Sequence, residues 1–205
     1  MILKEVLENS WASFFRVLCG GSLAFFIGIL FGLIRFSLPD FLKRNFIFNL
    51  ILDAPKFPPP IAWIPFVILA MGIGEKSAWA IVFIGVFPAV ATNTYEALSS
   101  VKVEILKVAR SLELSFRVLL FKVYLPAILP QVFTGLRVGL NMGWMSIIAA
   151  EMISGSSGLG YSIQLNRLNL RFDLMVVDMV LISLIGFFIN WSVSKIEKRV
   201  VRWNH

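Results

Sequence analysis

The chain is nearly devoid of cysteine and histidine. One cysteine, Cys19, and one histidine, His205, occur in 205 residues. A disulfide, a Cys/His metal site and a Cys/His nucleophile pair each need at least two such groups within reach of each other, so all three are excluded. Cys19 lies in an apolar run and reads as helix packing. Leu18 precedes it where a lipoprotein signal would place a small residue, and the run is too long for a signal peptide. Acidic residues are scarce as well: 12 Asp and Glu stand against 19 Lys and Arg, a net charge of +7.

Apolar surface is what the chain has in quantity. Hydrophobic residues make up 58% and aromatics 14% of it, and the mean hydropathy is +0.83. A soluble domain of this size cannot cover that much apolar surface, so the expected solvent is lipid. A spanning helix needs roughly 20 apolar residues to cross about 30 Å of hydrocarbon. The length then admits about five spans and one polar loop in a single domain, residues 1–205, with no room for a soluble catalytic unit. In such a chain a basic excess marks cytoplasmic loops rather than a nucleic-acid surface.

Five apolar stretches are legible, at about 11–36, 47–72, 77–95, 124–152 and 174–193, and each is expected to be helical. Arg16 and Arg35 stand near the ends of the first, where long basic side chains reach the interface. The second holds Pro55, Pro58, Pro59, Pro60 and Pro65 and must be broken, with its broken backbone shielded by protein. Asp53 and Lys56 flank that break; Asp173 and Asp178 flank the start of the fifth stretch, with Asp178 a candidate partner for a buried base.

Between 96 and 123 the hydropathy falls and Lys102, Lys107, Arg110, Arg117 and Lys122 appear. Val103, Leu106, Ala109 and Leu112 recur at helical spacing there, which predicts an amphipathic helix. The tail is basic too, with Lys195, Lys198, Arg199 and Arg202. Placing both segments and the Lys43–Arg44 loop in the cytoplasm puts the N-terminus outside, which an odd number of spans satisfies. Only Arg167 and Arg171 in the outer 153–173 loop weigh the other way.

The fourth stretch has two faces. At 100° per residue Thr134, Arg137, Asn141, Trp144 and Glu151 share one arc, a candidate pathway lining, and Gly135, Gly139 and Gly143 share another. Glycines at spacing four let a second helix approach closely, so the second arc is expected to be a packing seam. Arg137 sits mid-helix, where an arginine facing lipid costs about 2.5 to 3.5 kcal/mol. It therefore either pairs with a carboxylate inside the bundle or lends positive potential to a pathway for anions. Glu151 precedes the glycine-rich run 154–160 and either caps the following turn or lines an outer opening. The run itself lacks a following Gly-Lys-[Ser/Thr], is no phosphate loop, and is expected to be a flexible outer loop.

The segment Leu106 Lys107 Val108 Ala109 Arg110 Ser111 Leu112 Glu113, followed by Val123 Tyr124 Leu125 Pro126, resembles the coupling signature of ABC importer permeases: Glu-Ala-Ala, three residues, Gly, nine residues, Ile-x-Leu-Pro. Ala109, Leu125 and Pro126 match in identity and Val123 in kind, while Lys107, Val108 and Glu113 replace the first Glu, an Ala and the Gly. That glycine stands at a turn where a left-handed backbone is natural. Phe57 to Pro65, Gly72 to Glu75, Thr134 to Arg137 and Ala149 to Met152 are similar to the nitrate, sulfonate, taurine and bicarbonate branch of type I permeases, whose members usually have one more N-terminal span.

The resemblance implies an all-α importer transmembrane domain with a cytoplasmic coupling helix in the inner membrane. Two permease copies would enclose one pathway, two cytoplasmic ATPase subunits would hold the ATP and Mg, and an outer solute-binding protein would deliver a small anion. No cofactor or metal is expected on the chain itself. ATPase coupling would fall to Lys107, Ala109, Arg110, Ser111, Leu112, Glu113, Ser115 and Arg117. An amphipathic helix outside the membrane can bury its apolar face in a partner's groove and pass on the partner's motion. The rival class, an ion-coupled secondary transporter or channel, would place ionisable residues in several spans and often show inverted repeats; neither stands out.

Overall fold

The computed structural model describes residues 2–101, 111–113 and 115–201. The described residues are helical with no strand, as the composition requires: in lipid each backbone N–H and C=O needs a partner within its own segment. α1 runs Ile2–Ser37, α2 Asp40–Lys43 and α3 Phe46–Asp53. Two single turns, Ala54–Lys56 and Pro60–Trp63, lead into α4, Ile64–Met71. α5 spans Glu75–Ser99. Further along come α6, Phe116–Leu119, a π turn over Leu120–Tyr124, and α7, Leu125–Ser154. α8 is Leu159–Leu168 and α9 is Phe172–Val200.

Among the described residues, four stretches of helix are long and apolar enough to cross a bilayer: Lys4–Ser37, Glu75–Ser99, Arg117–Ser154 and Phe172–Val200. The stretch expected over 47–72 is a chain of short pieces instead of one span. Pro58, Pro59 and Pro60 remove consecutive amide donors, so regular helix resumes only at Ile64. The reversal from α4 into α5 passes through Gly72 at φ +78°, a conformation that costs glycine nothing.

α5 is the axis of the bundle. Its Val82, Val86, Val90 and Thr94 recur at spacing four and are fully buried. They fit against small residues on both neighbours. On α1 a methyl added to Gly20, Gly28 or Gly32 would fall within 3 Å of Val82, Val90 or Thr94, and Ala24 between them is fully buried. On α7 a methyl at Gly139 would lie 2.8 Å from the Val86 carbonyl, and one at Gly135 would lie 2.7 Å from Asn93 Cβ. Lipid supplies no hydrophobic drive between helices, so this close approach and its dispersion contacts hold the three together.

The outer faces point the other way. Leu18, Leu23, Phe26 and Leu30 of α1 are exposed, as are Met179, Val180, Leu184 and Phe187 of α9. Only 11% of the most apolar window of α9 is buried within the chain, so most of that helix must be covered by acyl chains or another protein.

Candidate translocation face and buried ion cluster

The polar arc predicted on α7 divides when the helix is packed. Gly135, Gly139, Gly143, Ser146 and Ala150 are buried on the α5 side. Trp144 also turns inward and donates its indole N–H to the Ile182 carbonyl of α9 at 3.2 Å. Arg137 is partly covered, with Nη1 3.4 Å from Glu197 and 3.5 Å from the Ser194 hydroxyl. Its partner is thus a carboxylate near the end of α9. Asp178 lies elsewhere, buried and accepting from Ser162 at 2.8 Å and Asn166 at 2.9 Å. Thr134 and Asn141 stay exposed, and Val138, Met142 and Met145 continue their strip.

Met142, Met145 and Ser146 form one wall of a cleft of about 400 Å³. The facing wall is the proline stretch Phe57–Ile61, and Gly85, Pro88 and Ala89 of α5 make the floor. Pro88 has no N–H, so the Ile84 carbonyl beside the cleft lacks its usual helical donor. Lys56 is the charged residue at the rim. Methionine suits such a face because its unbranched thioether adapts to varied shapes.

Glu151 is carried away from that strip into an ion cluster at the end of the bundle. Arg16 of α1 is 5% exposed and Glu151 3%. Arg16 Nη1 donates to Glu151 at 2.7 Å and to the Ser157 carbonyl at 2.8 Å, while Nε and Nη2 bond Glu75. Glu151 also accepts from the Ser13 hydroxyl at 2.9 Å and from the Gly160 N–H at 3.0 Å, in the first turn of α8. The Arg16 side chain is therefore turned into the bundle end and does not extend freely to the surface. With two carboxylates and a carbonyl at hand, the guanidinium gains more by pairing inward than by snorkelling. The run 154–160, expected to be a flexible loop, is folded onto the same cluster: Gly158 N–H donates to Asn9, Leu159 N–H to Ser13 and Gly160 N–H to Glu151.

The cluster gathers the start of α5, the end of α7 and the start of α8 at one end of the molecule. Arg35 marks the opposite region. It bonds Asp53 at 2.8 Å and Asn49 at 3.0 Å, and stacks over the Tyr95 ring at 4.5 Å. Lys56 pairs with the same Asp53 at 3.2 Å.

Of the residues expected to couple to an ATPase, Lys107, Ala109 and Arg110 lie outside the described residues, as do Val103 and Leu106. Ser111, Leu112, Glu113, Ser115 and Arg117 are described; Leu112 is 64% exposed and Arg117 is exposed. Glu113 adopts φ +47°. The left-handed turn natural to glycine is made here by a glutamate, against the Cβ repulsion that ordinarily disfavours it.

Sequence reasoning missed two features. The Arg16–Glu75–Glu151 cluster had a visible signal in an arginine close inside an apolar run, with a carboxylate at each of two other helix ends. The small stripe Gly20, Ala24, Gly28, Gly32 on α1 was legible at spacing four, as the α7 stripe was.

A family model described as "binding-protein-dependent transport system inner membrane component" matches residues 23–202. The chain belongs to that family. A putative ABC transporter permease protein of Methanocaldococcus jannaschii is 32% identical over 97% of the chain and 74% of its own length. The taurine transport system permease protein of Escherichia coli is 31% identical over 89% of the chain and 66% of its own length, and the nitrate import permease protein of a Synechocystis strain 29% identical over 93% and 68%. The chain thus spans about two thirds to three quarters of these three relatives. An inward-facing structure of the MetNI methionine ABC transporter shares the fold at a TM-score of 0.77, covering 97% of both chains at 20% identity.

Proposed function

We propose that this chain is the permease subunit of an ATP-driven importer of small anionic solutes. It has no ATPase chemistry of its own and pairs with a second copy so that the Thr134, Asn141, Met142 and Met145 strips face one route. Two cytoplasmic subunits hydrolyse ATP, and an outer binding protein delivers the solute. The observation that carries the reading is the open strip on α7: family members of this fold form a solute path, and this is the polar-and-thioether surface the bundle leaves uncovered beside a cleft. The names of the taurine and nitrate relatives support a solute that carries an oxyanion group, and Lys56, itself paired with Asp53, rather than Arg137 is the cation lining the cleft.

The orientation follows from charge. Lys195, Lys198 and Arg199 are exposed near the end of α9, away from the Arg16 cluster, and α7 enters from Arg117 and Lys122. By the positive-inside rule that end is cytoplasmic, the Arg16 cluster is outer, and the N-terminus lies outside. Arg117, at the start of α6, then lies on the side where an ATPase subunit can bind. Copurification with an ATP-binding subunit, followed by uptake in sealed proteoliposomes, tests the reading. ATP-dependent accumulation of taurine or nitrate is expected; accumulation driven by an ion gradient without ATP defeats it.

A further inference from the structure

α1 packs little against α9, and a groove of about 310 Å³ runs between them. Leu136 and Leu140 of α7 form its floor, and Phe14, Phe25 and Phe26 of α1 line its sides with Phe188 of α9. Leu18, Phe26, Phe188 and Ile196 also border it and are each more than half exposed, so the groove is open to the outside. Its walls all belong to helices long and apolar enough to span, which sets the opening at membrane depth.

The groove leads to a basic end. On α9, Lys195 stands seven positions after Phe188 and three after Ser192, and Arg199 seven after Ser192 and three after Ile196. Both therefore carry the groove's face of the helix past its apolar part. Lys195 is exposed, lies over the Trp191 ring at 4.7 Å, and pairs with no described carboxylate. Glu197, the acidic residue of that end, is taken by Arg137. A tryptophan and a lysine together near the end of a span mark the level of lipid headgroups.

We propose that this groove binds an anionic phospholipid, with one acyl chain lying between α1 and α9 and the phosphate on Lys195. A dry cavity of about 150 Å³ holds the six carbons of benzene, so this one takes roughly a dozen, most of one acyl chain. A second helix fits poorly. The helix seams of this bundle are stripes of glycine and alanine that let backbones close in, whereas phenylalanine rings line both sides of the groove and hold a helix off. A flexible chain threads between such rings. Leu136 and Leu140 also stand on the far side of α7 from Met142 and Met145, so a lipid here leaves the solute strip open. That last relation rests on the proposed function; the lipid site does not.

The test equilibrates the purified full chain, with the subunits that copurify with it, in neutral detergent with dioleoyl phosphatidylglycerol or dioleoyl phosphatidylcholine. Bound lipid is counted by native mass spectrometry. The anionic lipid is expected to bind about tenfold tighter or more. Lys195→Gln should weaken phosphatidylglycerol about fivefold and leave phosphatidylcholine unchanged. Ser22→Trp, which puts a ring into the groove from an exposed position on α1, should weaken both by about tenfold. Phosphatidylglycerol with a diazirine on one acyl chain should label peptides from 14–26 and 188–196. Equal affinity for the two lipids, unchanged phosphatidylglycerol binding in Lys195→Gln, or label that maps elsewhere, as it would if a second copy filled the groove, would each overturn the proposal. Should Ser22→Trp misfold, Lys195→Gln decides alone, since that side chain is exposed. Neither ATP nor solute enters these measurements, so the lipid site and the transport function stand or fall separately.

Discussion

Replacing Arg16 with Gln should be among the most damaging single changes outside the glycine seams. Arg16 and Glu151 side chains are 6% and 2% exposed and 2.7 Å apart, so solvent screens this pair little. Removing the guanidinium leaves the Glu151 carboxylate with only the Ser13 hydroxyl and Gly160 amide for company, both neutral donors. Breaking one side of a buried ion pair costs about 3–5 kcal/mol. For a chain of this length, that corresponds to a fall in melting temperature of roughly 6–20 °C. The Glu75 arm contributes far less, because its carboxylate is 54% exposed, and Glu75→Gln should cost under about 1 kcal/mol. The decisive comparison is Arg16→Gln against Arg16→Gln/Glu151→Gln, measured by thermal unfolding of purified protein in one detergent. The double variant removes the orphaned charge and should regain most of the loss. A double variant no more stable than Arg16→Gln, or a single loss under about 1 kcal/mol, would refute the account of the cluster as a buried clasp between α1, α7 and α8.

Three further outcomes are expected. Gly139→Ala puts a methyl 2.8 Å from the Val86 carbonyl, backbone that cannot swing aside; it should cost about 1–3 kcal/mol in thermal unfolding, whereas Cys19→Ala, on a partly exposed part of α1, should cost less. Glu113→Gly should stabilise its turn by about 1 kcal/mol and preserve solute-stimulated ATPase activity, while Glu113→Val, β-branched at φ +47°, should lower that activity. Arg137→Gln should leave uptake intact and lower the melting temperature by only a few degrees, because its link to Glu197 is partly exposed at 3.4 Å; loss of uptake with normal assembly would return Arg137 to the pathway.

Residence in lipid, the helical fold, the proline break and the small seam on α7 could all be read from the amino-acid order. Each is a local property, set by composition or by side chains three to five positions apart on one helix. The partners of the charged groups could not be read in this way. Arg16 meets Glu75 and Glu151 across 59 and 135 residues, and Arg137 meets Glu197 rather than Asp178. Periodicity placed Thr134, Arg137, Asn141, Trp144 and Glu151 on one arc, yet packing sends Trp144 to α9 and Glu151 to Arg16 and leaves Thr134 and Asn141 open. An arc on a helix says which residues lie side by side. Which part of it faces a neighbour, lipid or a route for solute depends on where the other helices lie, and that is settled by contacts far apart in the chain.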